Sequence, residues 1–200
     1  MIELLSYEFM QRALIAAVFV GLAAPLVGIY LVQRRLALMG DGIGHVAVTG
    51  VALGLATGTS PTWTAVLVAV LGAVAIEVIR EYGRTGGDVA LALLFYGGIA
   101  GGVLLIGLAG GTTANLMGYL FGSIATVSQS DVVQIVILGL VVLGVGIGLR
   151  PALFAVSHDE EFARSLGLPV RLLNVLIAVV AALTVTVAMR VVGLLLVSAI

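Results

Sequence analysis

The chain has neither cysteine nor lysine among its 200 residues. Without cysteine there is no disulfide, no thiolate metal site and no cysteine nucleophile. Without lysine a Walker-type phosphate loop is impossible, so any ATP hydrolysis must come from a partner chain. The HExxH and GxSxG motifs of zinc peptidases and serine hydrolases are missing as well. Charge is scarce: charged residues make up 10% of the chain and the net charge is -1. That balance leaves no basic footprint for nucleic acid. Prolines number four. One of them, Pro25, falls inside an apolar run and predicts a kink, because it removes a backbone hydrogen bond and crowds the preceding turn.

Apolar residues are abundant. They make up 62% of the chain, with mean hydropathy +1.28, where an ordinary soluble domain is about half apolar. Apolar runs cover 12–33, 36–57, 62–79, 89–109, 131–149 and 171–189. Each approaches the roughly 20 residues that cross the hydrocarbon core as a helix. The first run is long for a signal-peptide core. A seventh, 191–200, is too short to span and reads as a partial helix. The sequence therefore predicts an all-α, polytopic transmembrane helix bundle with about six full spans, a partial seventh and a short cytosolic helix, in a single domain over 1–200.

Arginine orients it. With the N-terminus outside, Arg34, Arg35, Arg80, Arg84, Arg150, Arg164 and Arg171 face the cytoplasm, while Arg12 and Arg190 do not. This is the positive-inside asymmetry. The outer segment around 116–124 is apolar, with Tyr119 and Phe121, and reads as a short interfacial helix. Glycines at 50, 54 and 58 repeat every fourth residue on the second run, as do pairs such as 97/101, 98/102 and 144/148. Small residues on one face let helix backbones approach closely in lipid, either as general packing or as a dimer face.

Asp41 and His45 stand four apart in MGDGIGHVAV, so on a continuous helix their side chains share a face. Counted from Leu36, His45 then lies near mid-membrane. Ionisable residues at such depth are usually functional, and a carboxylate with an imidazole makes half a site for Zn²⁺ or Mn²⁺. Two other readings stand beside it. The pair could orient helices by hydrogen bonding, or Gly40, Gly42 and Gly44 could break the helix and leave Asp41 at the interface.

The stretch SHDEEFARSLGLP over 157–169 is a charged island. Ser157 and Glu160 have capping-box spacing, and Glu160 and Arg164 can pair one turn apart. Gly167 suits a left-handed helix end, and Pro169 stops continuation. Phe162, Ala163 and Leu166 share an apolar face, with Asp159, Glu160, Glu161 and Arg164 charged around it. A two-turn docking helix on the cytosolic side is expected. His158 reads as a solvated contact residue. Glu77, Arg80, Glu81 and Arg84 read as a helix-end cluster in water, with ion pairs of little energy. Asp88 complements the start of the fourth helix. For Arg190 the default expectation is snorkelling to the outer interface, the alternative a carboxylate inside the bundle.

The blocks LALMGDGIGHVAVTGVALG, LFGSIATVSQSD, RPALFAVSHDEEFARSLGLPV and VVGLLLVSAI together resemble the membrane permeases of ABC importers for zinc, manganese or iron, over about 11–200. The resemblance implies a permease subunit in the bacterial cytoplasmic membrane, moving a divalent metal ion with no permanently bound cofactor. It implies a homodimer embedded in lipid, a cytosolic ABC ATPase docked on the coupling segment at about 150–170, and an extracytoplasmic metal-binding protein. Asp41 and His45 match the family's Asp/His block. Chains of that family run on beyond VVGLLLVSAI, which implies that the last helices are missing here. The alternatives are an ion-gradient-driven carrier, an ABC permease for cobalamin or siderophore-type substrates and, remotest, a membrane enzyme.

Overall fold

The computed structural model describes residues 7–82, 87–108, 118–122 and 128–197. Its main helices are α1 (Glu8–Gln33), α2 (Ala37–Thr57), α3 (Pro61–Tyr82), α4 (Gly87–Leu108), α5 (Gln129–Gly148), α6 (Arg150–His158), α7 (Glu160–Ser165), α8 (Val170–Val192) and α9 (Leu194–Val197). Six of them are long and apolar enough to cross a membrane, and the chain is a multi-pass membrane protein. Apolar run length alone placed these six, because a backbone in hydrocarbon must satisfy its hydrogen bonds within the segment and only a helix does so. α1 continues through Pro25.

α8 is the central post. It is the most enclosed of the spans and packs against α1, α5, α3 and α2. α2 lies between α3 and α4, and α4 leaves Leu93, Tyr96, Val103 and Leu104 exposed. The glycine spacing on α2 serves two purposes. A Cβ at Gly50 would sit 2.6 Å from Ala65 Cα, and one at Gly54 would sit 2.7 Å from Pro61 Cα, so these two positions let α2 and α3 touch backbone to backbone. Gly58 has open space instead and φ 66. It is the left-handed cap of α2, not a packing glycine.

Chain direction alternates through the six spans. The starts of α1, α3 and α5 and the ends of α2, α4 and α8 lie at one end; the α1–α2 turn, α6 and α7 lie at the other. Charge pairs mark both ends. Asp131 at the start of α5 holds Arg190 near the end of α8 at 2.8 Å. Arg34 at the end of α1 meets Glu160 of α7 at 2.8 Å, and Arg171 pairs with Glu81. The arginine asymmetry predicts that the second end is the cytoplasmic one. This is testable, because any introduced cysteine is the only one. Ser60→Cys in the α2–α3 loop should react with an impermeant maleimide in intact cells, and Ser165→Cys only after lysis. Labelling of position 165 from outside would reverse the orientation.

Several local expectations are corrected. Arg190 does not snorkel: besides Asp131 it lies over the Tyr119 ring, 4.7 Å from its centroid. Glu77 is not in water: its side chain is 2% exposed and faces Arg34 and Arg80. Of the expected outer interfacial helix, a helical turn over 118–121 is seen; residues 116, 117, 123 and 124, Arg84 and the side chain of Asp88 lie outside the described residues.

Candidate functional site

α2 runs unbroken from Ala37 to Thr57 through Gly40, Gly42 and Gly44, which removes the reading of a broken helix. At two of the three glycines packing leaves little room for a side chain: a Cβ at Gly42 would sit 2.7 Å from Leu94 Cδ2 and one at Gly44 would run into Leu194 Cδ1, whereas Gly40 has space. At 1.5 Å per residue, Asp41 and His45 stand roughly 6 Å and 12 Å above the cytosolic start of the helix. They share one face, with His45 Nε2 3.5 Å from Asp41 Oδ1.

That face looks onto α4. Asp41 lines a cavity of about 330 Å³ with Leu38, Leu91, Ala92, Phe95 and Tyr96. Its Oδ1 is buried without a hydrogen-bond partner. A buried carboxylate oxygen without a hydrogen bond is unfavourable; the His45 ring at 3.5 Å, or a cation shared between the two side chains, relieves it. His45 packs edge-on against Phe95, with centroids 4.4 Å apart. It borders a second, more apolar cavity of about 250 Å³ with Val48, Gly98, Val103, Leu120 and Leu194. One turn further along the same face, Thr49 donates to the Gly98 carbonyl at 2.6 Å. A Cβ at Gly98 would sit 2.7 Å from the His45 carbonyl carbon, so α4 is held against α2 where the histidine stands. Asp41, His45 and Thr49 thus form a polar stripe at i, i+4 and i+8 beside two cavities. Among the described residues no group of three or more His, Asp or Glu gathers. Alone, the stripe offers two strong ligands, enough to touch a passing metal ion and too few to trap it.

The second region is the cytosolic segment, and it is two helices, not one. Leu149 closes α5 and opens α6, with Pro151 in the first turn. Ser157 falls inside α6 and is buried, so it caps nothing. The cap is Asp159, whose side chain accepts from the Phe162 N–H at 2.9 Å. α7 ends in a Schellman motif: Leu168 N–H bonds the Ala163 carbonyl, Gly167 N–H bonds the Arg164 carbonyl, and Gly167 has φ 79. Pro169 then opens α8. Phe162 and Leu166 project into water, 58% and 59% exposed, while Ala163 is fully buried and fixes the helix to the bundle. The apolar face is therefore split, two residues out and one in. Glu161, Arg164 and His158 are exposed, and His158 stacks on Phe154. Glu160 turns inward to Arg34 and Asn174 and not to Arg164.

Sequence reasoning missed the inward side of this segment. Arg34 and Asn174 meet Glu160, and Arg34 also meets Glu77, in contacts between separate helices. The available signal was Glu77 itself, a carboxylate deep in the last turns of an apolar span. Thr49 was missed too; its four-residue spacing from His45 was the clue.

The whole chain resembles known proteins. The family model described as "ABC 3 transport family" matches residues 6–200. The manganese transport system membrane protein MntC of Halalkalibacterium halodurans is 34% identical over 98% of this chain and 68% of its own. The manganese import system permease protein ScaB of Streptococcus parasanguinis is 34% identical over 96% of this chain and 69% of its own. The solved structure of PsaBC from Streptococcus pneumoniae in complex with Fab superposes with TM-score 0.83 at 32% identity, over 98% of this chain and 70% of that one. With the model and the relatives matching along almost its whole length, the chain belongs to the ABC 3 transport family.

Proposed function

We propose that this protein is the membrane-spanning permease subunit of an ABC importer for a divalent metal ion in the bacterial cytoplasmic membrane, with manganese as its cargo. The observation that carries the reading is the Asp41–His45 pair on the α4-facing side of α2, with a carboxylate oxygen that accepts no hydrogen bond beside a cavity. Carboxylate and imidazole suit Mn²⁺, although they do not alone exclude neighbouring metals. The manganese named for MntC and ScaB favours that ion over zinc or iron. In this reading, a separate ATPase docks on the α6–α7 segment and supplies hydrolysis, and an extracytoplasmic binding protein delivers the ion. A second copy of the chain places a second Asp41–His45 pair near a shared axis and completes the coordination. A site of few ligands is appropriate, because an ion held too tightly cannot leave.

The test separates this reading from a gradient-driven carrier. The permease is reconstituted with its ATPase and its extracytoplasmic binding protein in proteoliposomes, and radiolabelled Mn²⁺ uptake is followed with ATP, with a non-hydrolysable analogue, and with an imposed proton gradient alone. Uptake should require hydrolysable ATP. Uptake driven by the gradient without the ATPase would assign the chain to the carrier class.

A further inference from the structure

Three spans meet on the inward side of α7. Glu160 Oε1 accepts from Arg34 Nη2 at 2.8 Å and from Asn174 Nδ2 at 3.1 Å, and Arg80 Nη2 stands 4.0 Å away. The same two arginines converge on Glu77 Oε1, at 3.5 Å from Arg34 and 3.2 Å from Arg80. Two guanidiniums and two carboxylates balance in charge. The Arg34 and Glu77 side chains are 4% and 2% exposed, so removing one partner leaves a buried charge uncompensated. Of the four residues, Glu160 alone belongs to the docking helix.

Two features make this cluster able to move without coming apart. Glu77 Oε2 and Asn174 Oδ1 are buried and without hydrogen-bond partners, so a guanidinium N–H of Arg34 displaced from Glu160 has another acceptor on Glu77, which it already faces. The cluster is also tied to α2 from two directions. Arg34 closes α1 directly before Arg35, whose φ of 57 makes the tight turn into α2, and Asp41 follows seven residues after Arg34. α3, which carries Glu77 and Arg80, is keyed into α2, since a Cβ at Gly50 would lie 2.6 Å from Ala65 Cα and one at Gly72 2.8 Å from Val46 Cγ1. Packed interfaces of this kind shift between discrete arrangements; they do not deform smoothly.

We propose that the Arg34–Glu77–Arg80–Glu160 cluster is the joint through which movement of a docked α7 becomes movement of α2. Glu160 is then a positioning residue that sets how much metal each ATP carries, and not whether the ATPase binds. The inference rests on the import reading above. It commits to a physical element that both ends bias, which a mere line of neighbouring residues would not provide.

The experiment uses the full permease–ATPase assembly in proteoliposomes, with Mn²⁺ uptake and ATP hydrolysis measured on the same sample. Glu160→Gln keeps an acceptor for Asn174 and drops the charge. It should co-purify with the ATPase and hydrolyse ATP while Mn²⁺ imported per ATP falls about tenfold. Glu160→Asp, which keeps the charge, should lie between it and the wild type. Glu8→Gln, at the exposed Arg12 pair on the opposite end, should keep the wild-type ratio. A parallel fall of uptake, hydrolysis and complex yield in Glu160→Gln would mean a structural role and overturn the proposal. So would an unchanged ratio of Mn²⁺ to ATP. If Glu160→Gln does not assemble, Arg80→Gln at the margin of the cluster must show the same uncoupling, and its failure to do so also overturns the joint. A wild-type assembly that shows no ATP-driven uptake refutes the import reading itself, whereas an importing wild type with a fully coupled Glu160→Gln refutes only the joint.

Discussion

Leu166→Asp should abolish metal uptake and strip the ATPase from the purified permease. Leu166 and Phe162 are large apolar side chains held in water, at 59% and 58% exposure, on a helix that has little freedom to turn them away. Asp159 caps its start, Gly167 and Leu168 close its end, and Ala163 is buried beneath it. Apolar anchors entering a partner pocket usually carry most of the binding energy of an interface, while charges at the rim carry little. A carboxylate at position 166 loses the burial of the leucine and places a charge where water is to be excluded. A loss of about 2–4 kcal/mol, or roughly 30- to 1000-fold in affinity, is expected for such a position. Glu161→Gln, one residue before Phe162 and exposed, should cost less than about threefold. Co-purification from detergent and uptake in the same membranes measure both. A Leu166→Asp permease that stays folded, retains its ATPase and transports normally rules out docking on this face.

What the sequence made legible is set by how local the physics is. The six spans were readable because run length and apolarity decide them, and the observed helices overlap all six expected runs. The left-handed Gly167 and the stop at Pro169 were readable for the same reason. The cap of α7 was not. Two overlapping signals, Ser157 with Glu160 and Asp159 with Phe162, compete over the same turn. Asp159 prevails because Pro151 starts an earlier helix that carries Ser157 into the bundle. Gly58 shares the four-residue spacing of Gly50 and Gly54, yet it ends the helix because α2 stops there. Glu77 was read as solvent-facing and Arg190 by default as snorkelling, because Arg34 and Asp131, which meet them, lie far along the chain. No local window contains that information. In both cases the bundle places a carboxylate beside an arginine, which a membrane protein needs for any charge it encloses.

At the other end of the same mechanism, His45→Asn should lower Mn²⁺ uptake at least about tenfold while membrane insertion and ATPase co-purification stay normal. Asparagine keeps hydrogen-bonding capacity and much of the size of histidine, so it preserves packing against Phe95, whose ring centroid is 4.4 Å from that of His45. It is a far poorer metal ligand. Asp41→Asn should act in the same direction. It removes the charge of a carboxylate whose Oδ1 is buried and accepts no hydrogen bond, and a neutral amide there gains little from a passing cation. His45→Leu gives the contrast. If the histidine binds the ion, asparagine and leucine should be similarly defective, since both remove the ligand. If it only orients α2 against α4 by hydrogen bonding, asparagine should transport normally and leucine should fail. Uptake in the three variants, measured at equal amounts of assembled complex, decides between a ligand and a strut. Normal transport by His45→Asn alongside a defective His45→Leu would sink the ligand role and leave Asp41 to meet the ion alone.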